Sequence, residues 1–160
     1  MKRDDLNGLK ISNPIHFTAV GFGSGLAKKA PGTFGTLAAM PIYYFLSFLS
    51  VELYIGILIL SSAIGIWICQ VTSRDMGVHD HKAIVWDEFV GYWITMFMVP
   101  FSIKWAIVGF VLFRFFDIVK PYPISWLDKK VHGGLGIMID DILAGVFAAV
   151  LLQYLIHIYN

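Results

Sequence analysis

Residues 53–71 read LYIGILILSSAIGIWICQV, a run of nineteen residues without a charged side chain. A helix that crosses the hydrocarbon core of a bilayer needs about 20 predominantly apolar residues, so this run predicts a membrane-spanning helix. On either side of it, stretches of low charge predict four more helices, over 33–51, 89–103, 105–119 and 142–160. The third and fourth of the five are short enough to be either tilted spans or a partly inserted hairpin.

The composition of the whole chain supports a membrane protein. Of its 160 residues, 58% are hydrophobic and only 14% are charged, and the mean hydropathy is +0.72, whereas soluble domains carry roughly 25% charged residues. We therefore expect an all-α fold, a single membrane-embedded domain over 1–160 that forms an integral membrane bundle of about four to five transmembrane helices with a glycine-rich N-terminal loop. A net charge of +1 excludes a nucleic-acid partner bound through a strong basic field. The single cysteine, Cys69, excludes an intramolecular disulfide framework and a cysteine-based zinc site.

The few charges are unevenly distributed across the predicted bundle. Counting helices along the chain, eleven of the twelve Lys and Arg residues fall on the side of the N-terminal segment 1–14, and only Lys104 lies opposite. The positive-inside rule makes the crowded side cytoplasmic. Ten of the eleven acids fall on the same side, with Glu52 as the exception, although the topology rule does not require this of acids.

Five of these acids lie at the ends of three predicted helices: Asp87, Glu88, Asp117, Asp140 and Asp141. Carboxylates in the first turn of a helix gain about 0.3–1 kcal/mol from the helix dipole, which is one explanation for four of them. It does not explain Asp117 at a C-terminal end, nor the two adjacent pairs, whose members repel each other. Carboxylate oxygens suit Mg²⁺, which commonly binds one or two carboxylates together with phosphate oxygens, so the pattern favours a metal site.

Cationic and small residues near these acids suggest an anion site. Arg114, Asp117 and Lys120 are spaced three apart, so that neighbours touch on a helix; an ordinary ion pair is the alternative interpretation of Arg114. Lys29 is either a phosphate contact or a lysine that reaches the headgroups.

A glycine-rich segment precedes the first predicted helix. Residues 21–25 read GFGSG, with Gly23 and Ser24 at the centre, and PGTFGT follows at 31–36. Such a loop binds phosphate through its backbone amides, with Thr33 or Thr36 capping the helix, or it serves tight helix packing. His79 and His81 lie shortly before Asp87 and either move protons and bind metal or are simply solvated.

Together these blocks resemble a known family. The segments GFGSG at 21–25, PGT at 31–33, IVWDEFVG at 84–91, RFFDIVKP at 114–121 and GLGIMIDDILAG at 134–145 are similar in kind and order to those of the bacterial phosphatidylglycerophosphatase A family. The resemblance runs from about Ser12 to the C-terminus. It implies a Mg²⁺-dependent, multi-pass enzyme of the bacterial inner membrane that converts phosphatidylglycerophosphate to phosphatidylglycerol, the precursor of cardiolipin.

The expected mechanism is metal-assisted hydrolysis of a lipid phosphomonoester at the cytoplasmic face. The five acids are expected to bind Mg²⁺ and to include the catalytic carboxylates, while Arg114, Lys120 and the glycine-loop residues bind the phosphate. His79 or His81 is assigned to protonate the leaving glycerol oxygen. Two alternatives stay open: a phosphotransferase of the CDP-alcohol type, which would release CMP, and a cation carrier, which would place acids throughout the membrane depth.

Overall fold

Helices account for all regular secondary structure among residues 6–159, the part of the chain that the computed structural model describes. The all-α prediction is therefore confirmed for these residues. The N-terminal segment predicted over 1–14 lies partly outside the described residues, at 1–5. A 3₁₀ helix, Gly21–Leu26, separates the first two of seven α-helices, which are α1 Pro14–Ala19, α2 Pro31–Leu46, α3 Val51–Met76, α4 Trp86–Thr95, α5 Ile103–Val119, α6 Ile124–Lys130 and α7 Gly133–Tyr159.

Two of the helices are long and apolar enough to cross a membrane. They are α3, with 26 residues, and α7, with 27. The other predicted spans correspond to α2, α4 and α5, which have 16, 10 and 17 residues. At 1.5 Å per residue α4 is about 15 Å long, half the thickness of a hydrocarbon core. Length and composition thus support two spans among the described residues, and the expected four to five are not confirmed.

The ends of α4 and α7 differ most from the prediction. Helix α7 begins at Gly133, nine residues before the predicted start at 142, and α4 ends at Thr95, well before 103. The sequence prediction placed helix boundaries next to charged residues. Helix α7 instead continues through Asp140 and Asp141, which are buried within the protein and therefore do not meet lipid.

The short helix α4 lies in the centre of the bundle. Eight of its ten residues are buried, and aromatic side chains connect it to three neighbouring helices through backbone carbonyls. The indole N–H groups of Trp86 and Trp93 donate to the carbonyls of Ser61 on α3 and Ala39 on α2, each at 3.1 Å. The hydroxyl of Tyr92 donates to the carbonyl of Ala106 on α5 at 3.1 Å. These bonds satisfy polar groups that burial would otherwise leave unpaired.

Helix α4 packs most closely against α7, where two glycines meet. A Cβ atom built on Gly145 of α7 would lie 2.4 Å from the carbonyl oxygen of Gly91 on α4. The hydroxyl of Thr95 donates to the carbonyl of Gly91, one turn earlier in α4, at 2.9 Å. The small-residue contact lets the two backbones approach in the way that is common between membrane helices.

We expect Gly145→Ala to lower the free energy of unfolding by about 1–3 kcal/mol, because the new methyl group overpacks the contact with the Gly91 carbonyl. Thermal unfolding in detergent measures the change. Gly56→Ala on α3 is the matched control, since a Cβ atom at Gly56 meets nothing within 4 Å and alanine is the better helix former. Equal stability of the two variants would contradict the close packing of α4 and α7.

Candidate active site

Three carboxylates meet at one end of the helical bundle. Each of Asp87, Glu88 and Asp141 offers an oxygen, and these three oxygens lie within 4.8 Å of one another. Asp87 and Glu88 occupy the first turn of α4, where the helix dipole favours negative charge. Asp141 lies eight residues into α7, beyond the reach of that dipole. The dipole explanation considered for the sequence therefore does not apply to Asp141.

The three carboxylates are withdrawn from solvent and incompletely paired. Asp141 is 2% exposed and Asp87 is also buried. Oδ1 of Asp87, Oε2 of Glu88 and Oδ2 of Asp141 have no hydrogen-bond partner among the described residues. Burial, followed by the neighbouring Glu88, holds the pKa of Asp87 well above its ordinary value. Burial and then Asp141 raise the pKa of Glu88 to about 8. Both shifts show that the site disfavours its own negative charge.

Arg114 of α5 lies beside this cluster. Its Nη1 atom is 2.5 Å from Oδ2 of Asp117 and 3.7 Å from Oε1 of Glu88, so the predicted three-residue spacing does form an ion pair. The Nε atom of Arg114 is buried without a hydrogen-bond partner among the described residues. Gly32, at the start of α2, makes room for this arrangement, since a Cβ atom there would lie 2.2 Å from Oε1 of Glu88 and 3.0 Å from Nη1 of Arg114.

A second ion-pair group stands next to the first. The ammonium group of Lys120, which directly follows α5, lies 2.8 Å from Oδ1 of Asp128 on α6 and 2.5 Å from Oδ2 of Asp140 on α7. Lys120 thus connects three helices at the same end of the bundle. The other oxygen of Asp140, Oδ1, is buried without a hydrogen-bond partner in the described part of the chain.

All five predicted carboxylates line one cavity of about 310 Å³. Its described walls carry six carboxylates against three cationic side chains, so its formal charge is negative. The lining residues are Ala30, Pro31, Gly32, Asp80, Lys82, Ile84, Asp87, Glu88, Arg114, Asp117, Ile118, Lys120, Asp140 and Asp141.

The cavity fits a divalent cation. Carboxylate oxygens are the hard ligands that Mg²⁺ and similar ions take in proteins. Buried carboxylates are otherwise costly unless they are paired or bind a metal. Asp87, Glu88 and Asp141 each provide one such ligand oxygen within 4.8 Å of the others, and each also has a buried oxygen without a hydrogen-bond partner among the described residues.

The sequence relationships agree with this site. The family model of phosphatidylglycerophosphatase A matches residues 17–156. The chain belongs to the phosphatidylglycerophosphatase A family. It is 53% identical over 150 residues to phosphatidylglycerophosphatase A of Escherichia coli strain K12, which covers 93% of this chain and 87% of that protein. It is 48% identical over 151 residues to the phosphatidylglycerophosphatase A of Haemophilus influenzae, with 93% of each chain covered.

A third relative carries a different name. A protein of Bacteroides thetaiotaomicron, named as a candidate phosphatidylinositol-3-phosphatase, is 39% identical over 140 residues, which are 82% of this chain and 87% of that protein. No solved structure matches the chain significantly. The resemblance inferred from the sequence blocks is confirmed at the level of the family.

Several other predicted site residues lie outside the lining of this cavity. They are Gly23, Ser24, Lys29, Thr33, Thr36, His79 and His81. Gly23 and Ser24 belong to the 3₁₀ helix, where the hydroxyl of Ser24 donates to the carbonyl of Gly21 at 2.8 Å. Lys29 is exposed, one residue before the lining begins. A Cβ atom at Gly25 would lie 2.2 Å from the carbonyl oxygen of Ala83, whereas one at Gly23 meets nothing within 4 Å, and the phosphate contact of this segment stays a prediction.

Neither threonine caps α2, contrary to the prediction. The N-cap is Ala30, and Pro31 occupies the first helical position, where its missing N–H group costs nothing. Thr33 and Thr36 lie inside the helix, and the hydroxyl of Thr36 donates to the carbonyl of Gly32 at 2.9 Å.

The two histidines have structural partners elsewhere. Nε2 of His79 accepts a hydrogen bond from the backbone N–H of Gly133 at 2.7 Å, at the start of α7. Nδ1 of the buried His81 accepts from the backbone N–H of Ala83 at 3.1 Å. These contacts hold the segment between α3 and α4 in place, and both side chains lie outside the cavity lining.

Sequence reasoning did not single out Gly32, Asp80 or Lys82, which line the cavity. Asp80 lies between the two histidines, and Lys82 follows them, in the segment that precedes α4. The sequence carries no pattern that places either residue in the cavity. Gly32 was visible only as part of the PGT block, because its contact with Glu88 and Arg114 depends on three separate helices.

We expect Asp141→Asn to raise the unfolding temperature of the metal-free protein, because one of several repelling buried charges is removed. The same variant should lose most of the stabilisation that Mg²⁺ gives, since ligand binding stabilises the folded state according to its affinity. Thermal unfolding with EDTA and across a Mg²⁺ titration measures both effects.

Glu52→Gln is the matched control for this experiment, because it removes an exposed carboxylate at the N-terminus of α3, away from the cavity. A full Mg²⁺-dependent rise in the unfolding temperature of Asp141→Asn would contradict a cation site that includes Asp141.

Proposed function

We propose that this protein is a Mg²⁺-dependent phosphatase that hydrolyses the terminal phosphomonoester of phosphatidylglycerophosphate. The products are phosphatidylglycerol and inorganic phosphate, and the reaction takes place at the cytoplasmic headgroup level of the bacterial inner membrane. The observation that carries the proposal is the meeting of three carboxylates, each with one buried oxygen that has no hydrogen-bond partner among the described residues, with Arg114 and Lys120 in one cavity. Carboxylates alone would bind a cation, and the neighbouring cationic side chains would bind an anion that accompanies the cation.

Asp87, Glu88 and Asp141 are the residues that would hold the metal ion. When bound, Mg²⁺ would neutralise phosphate charge and lower the pKa of a water molecule. A bound cation would also add positive charge to a wall in which six carboxylates face three cationic side chains. Phosphate binding would therefore depend on the metal.

Arg114 and Lys120 are the phosphate-binding residues of this proposal. Asp117 fixes the guanidinium group of Arg114, while Asp128 and Asp140 fix the ammonium group of Lys120. Cations held in place before the reaction stabilise developing negative charge without reorganisation. The N-terminus of α2 also faces the cavity through Pro31 and Gly32, and a helix N-terminus favours anions.

A location at the membrane surface is supported by the distribution of apolar and charged residues. Large apolar side chains such as Ile59, Leu60 and Ile107 are exposed along α3 and α5, as suits helices in contact with lipid. The cavity is lined by the N-terminal turns of α2 and α4, the C-terminal end of α5, and Asp140 and Asp141 of α7. In this proposal the chain is a multi-pass protein that crosses the bilayer with α3 and α7, joined by the shorter α2 and α5, and the charged end is cytoplasmic.

The choice of phosphatidylglycerophosphate as substrate rests on the relatives. Two relatives at 53% and 48% identity are named phosphatidylglycerophosphatase A. The cavity residues account for the binding of a phosphomonoester, which all such lipids share. The identity of the headgroup is inferred from the family.

Replacing Asp87, Asp117 or Asp141 by Asn should each lower phosphate release by about 100-fold or more, because each change removes a metal ligand or frees Arg114 from its partner. Release of inorganic phosphate from phosphatidylglycerophosphate in mixed micelles with Mg²⁺ measures this. Glu52→Gln is the control variant and should retain full activity. Wild-type turnover in all three Asn variants would refute the proposed site.

The same assay distinguishes the alternative reactions through its substrates. Phosphatidylglycerophosphate, phosphatidate and CDP-diacylglycerol are compared at equal mole fraction. Release of CMP from CDP-diacylglycerol, without phosphate release from the other two, would identify a phosphotransferase instead. Absence of any product would leave a cation carrier as the function to be pursued.

Gly32→Ala should lower kcat by about tenfold or more, since the added methyl group displaces Glu88 and Arg114 from their present positions. Its unfolding temperature should stay near that of the wild type, because the displaced atoms are the ends of flexible side chains. Gly56→Ala is the matched control, with open space around the new methyl group. Unchanged kinetics of Gly32→Ala would show that Glu88 and Arg114 need not hold these positions.

A further inference from the structure

An apolar groove of about 580 Å³ runs along the outside of the bundle between α5 and α7. It has no part in the phosphate chemistry described above. Val150 and Tyr154 are largely exposed, at 68% and 61%, so the groove is open along its length. The residues that line it are Phe116, Val146, Phe147, Val150, Leu151 and Tyr154.

On α5 the groove begins at Phe116, one turn before Lys120 of the cavity lining. On α7, Phe147 and Leu151 follow Asp140 by seven and eleven residues, which places each within about 20° of Asp140 on one face of the helix. On α5, the carbonyl of Phe116 accepts the backbone N–H of Lys120 at 2.9 Å, one turn later. Lys120 and Asp140 form the ion pair at the wall of the cavity.

Below that ion pair the same two helix faces touch again. The rings of Phe116 and Phe147 pack edge to face with centroids 5.9 Å apart. The cavity and the groove are thus formed by the same two helices, with Lys120 and Asp140 in the charged lining and Phe116 and Phe147 in the apolar lining, and a ligand with a charged end and an apolar end can occupy both.

We propose that this groove binds one acyl chain of the phospholipid whose phosphate group occupies the cavity. This assignment rests on the proposed function, because it takes the cavity as the phosphate site. Continuity with the cavity is what distinguishes the groove from the other exposed apolar faces of the bundle. A lipid with an anionic headgroup matches both parts, whereas an apolar protein segment matches the groove alone.

The groove lies at the depth of the inner part of an acyl chain. From Val146 to Tyr154 it is about 12 Å long, and Val146 lies about 9 Å from Asp140 along α7, at 1.5 Å per residue. One leaflet contributes about 15 Å to the hydrocarbon core. With Asp140 at headgroup level, the groove therefore spans the inner end of the near leaflet and continues past the bilayer midplane.

A bulky side chain in the groove should impair hydrolysis of the intact lipid but not of its deacylated headgroup. Val150→Trp places a large ring in the groove at an exposed position, where it does not disturb the core. Val111→Trp is the matched control, because Val111 is an exposed valine of α5 outside the groove lining. The substrates are dioleoyl phosphatidylglycerophosphate in phosphatidylcholine vesicles and the deacylated headgroup, glycerophosphoglycerophosphate.

We expect Val150→Trp to raise the KM for the vesicle substrate by about tenfold, the size of an ordinary overpacking penalty. Its kcat/KM for the deacylated headgroup should stay within about twofold of the wild type, and Val111→Trp should match the wild type with both substrates. An unchanged KM for the vesicle substrate, or an equal loss with both substrates, would overturn the assignment.

A second measurement does not depend on turnover. Phosphatidate and phosphatidylcholine, each with a diazirine in the middle of one acyl chain, are photo-crosslinked to the wild-type protein in vesicles with Mg²⁺. We expect phosphatidate to label residues 146–154 several-fold more than phosphatidylcholine does, and Val150→Trp to abolish the difference. Equal labelling by both lipids would mean that ordinary bilayer lipid covers the groove and would overturn the proposal.

The two measurements separate failure of the groove from failure of the function. If the wild-type protein releases no phosphate but phosphatidate labels the groove preferentially, the proposed function fails and the lipid site stands. If a second copy of the chain occupies the groove, cross-links between copies through residues 146–154 appear in place of lipid labelling, and the assignment is wrong.

Discussion

The close contact of α4 with α7 determines where the carboxylates of the site lie. Gly91 and Gly145 meet at this contact, and a side chain at either position would collide with the opposite helix. Asp87 precedes Gly91 by four residues, and Asp141 precedes Gly145 by the same number. Each carboxylate is therefore one helical turn from the point of closest approach. The same small-residue contact that joins the helices brings their acids within reach of one ion.

This arrangement has an energetic cost that packing must offset. Burial first, and then repulsion between the neighbouring carboxylates, raise the pKa values of Asp87 and Glu88. The aromatic side chains of α4 anchor it to α2, α3 and α5, so the acids cannot separate by a movement of the helix. A bound cation relieves the repulsion between the carboxylates without any change in the fold. If the proposed function holds, this explains why the site is built from acidic residues.

The sequence predicted the residues of the site better than it predicted where the helices begin and end. Low charge located five helices, and all five carboxylates predicted to meet do line one cavity. The start of α7 was missed because charge in the sequence does not reveal whether a side chain faces lipid or the protein interior, and Asp140 and Asp141 face inward. For the same reason Gly32 could not be recognised, since its role depends on side chains from α4 and α5. The histidines were assigned by proximity in sequence to Asp87, which does not determine proximity in space.

Lys120 links the two halves of the proposed lipid site, and its position follows from how α5 ends. Its backbone turns into the left-handed region directly after α5, and Pro121 prevents the helix from continuing. The side chain is thereby free to reach α6 and α7 together, which a residue inside α5 would not do. If α5 continued as a helix past Val119, the ammonium group of Lys120 would lie further along the helix axis. Ending α5 at this point places the ammonium group at the boundary between the acidic cavity and the apolar groove, which is where the phosphate and the acyl chain of one lipid would diverge.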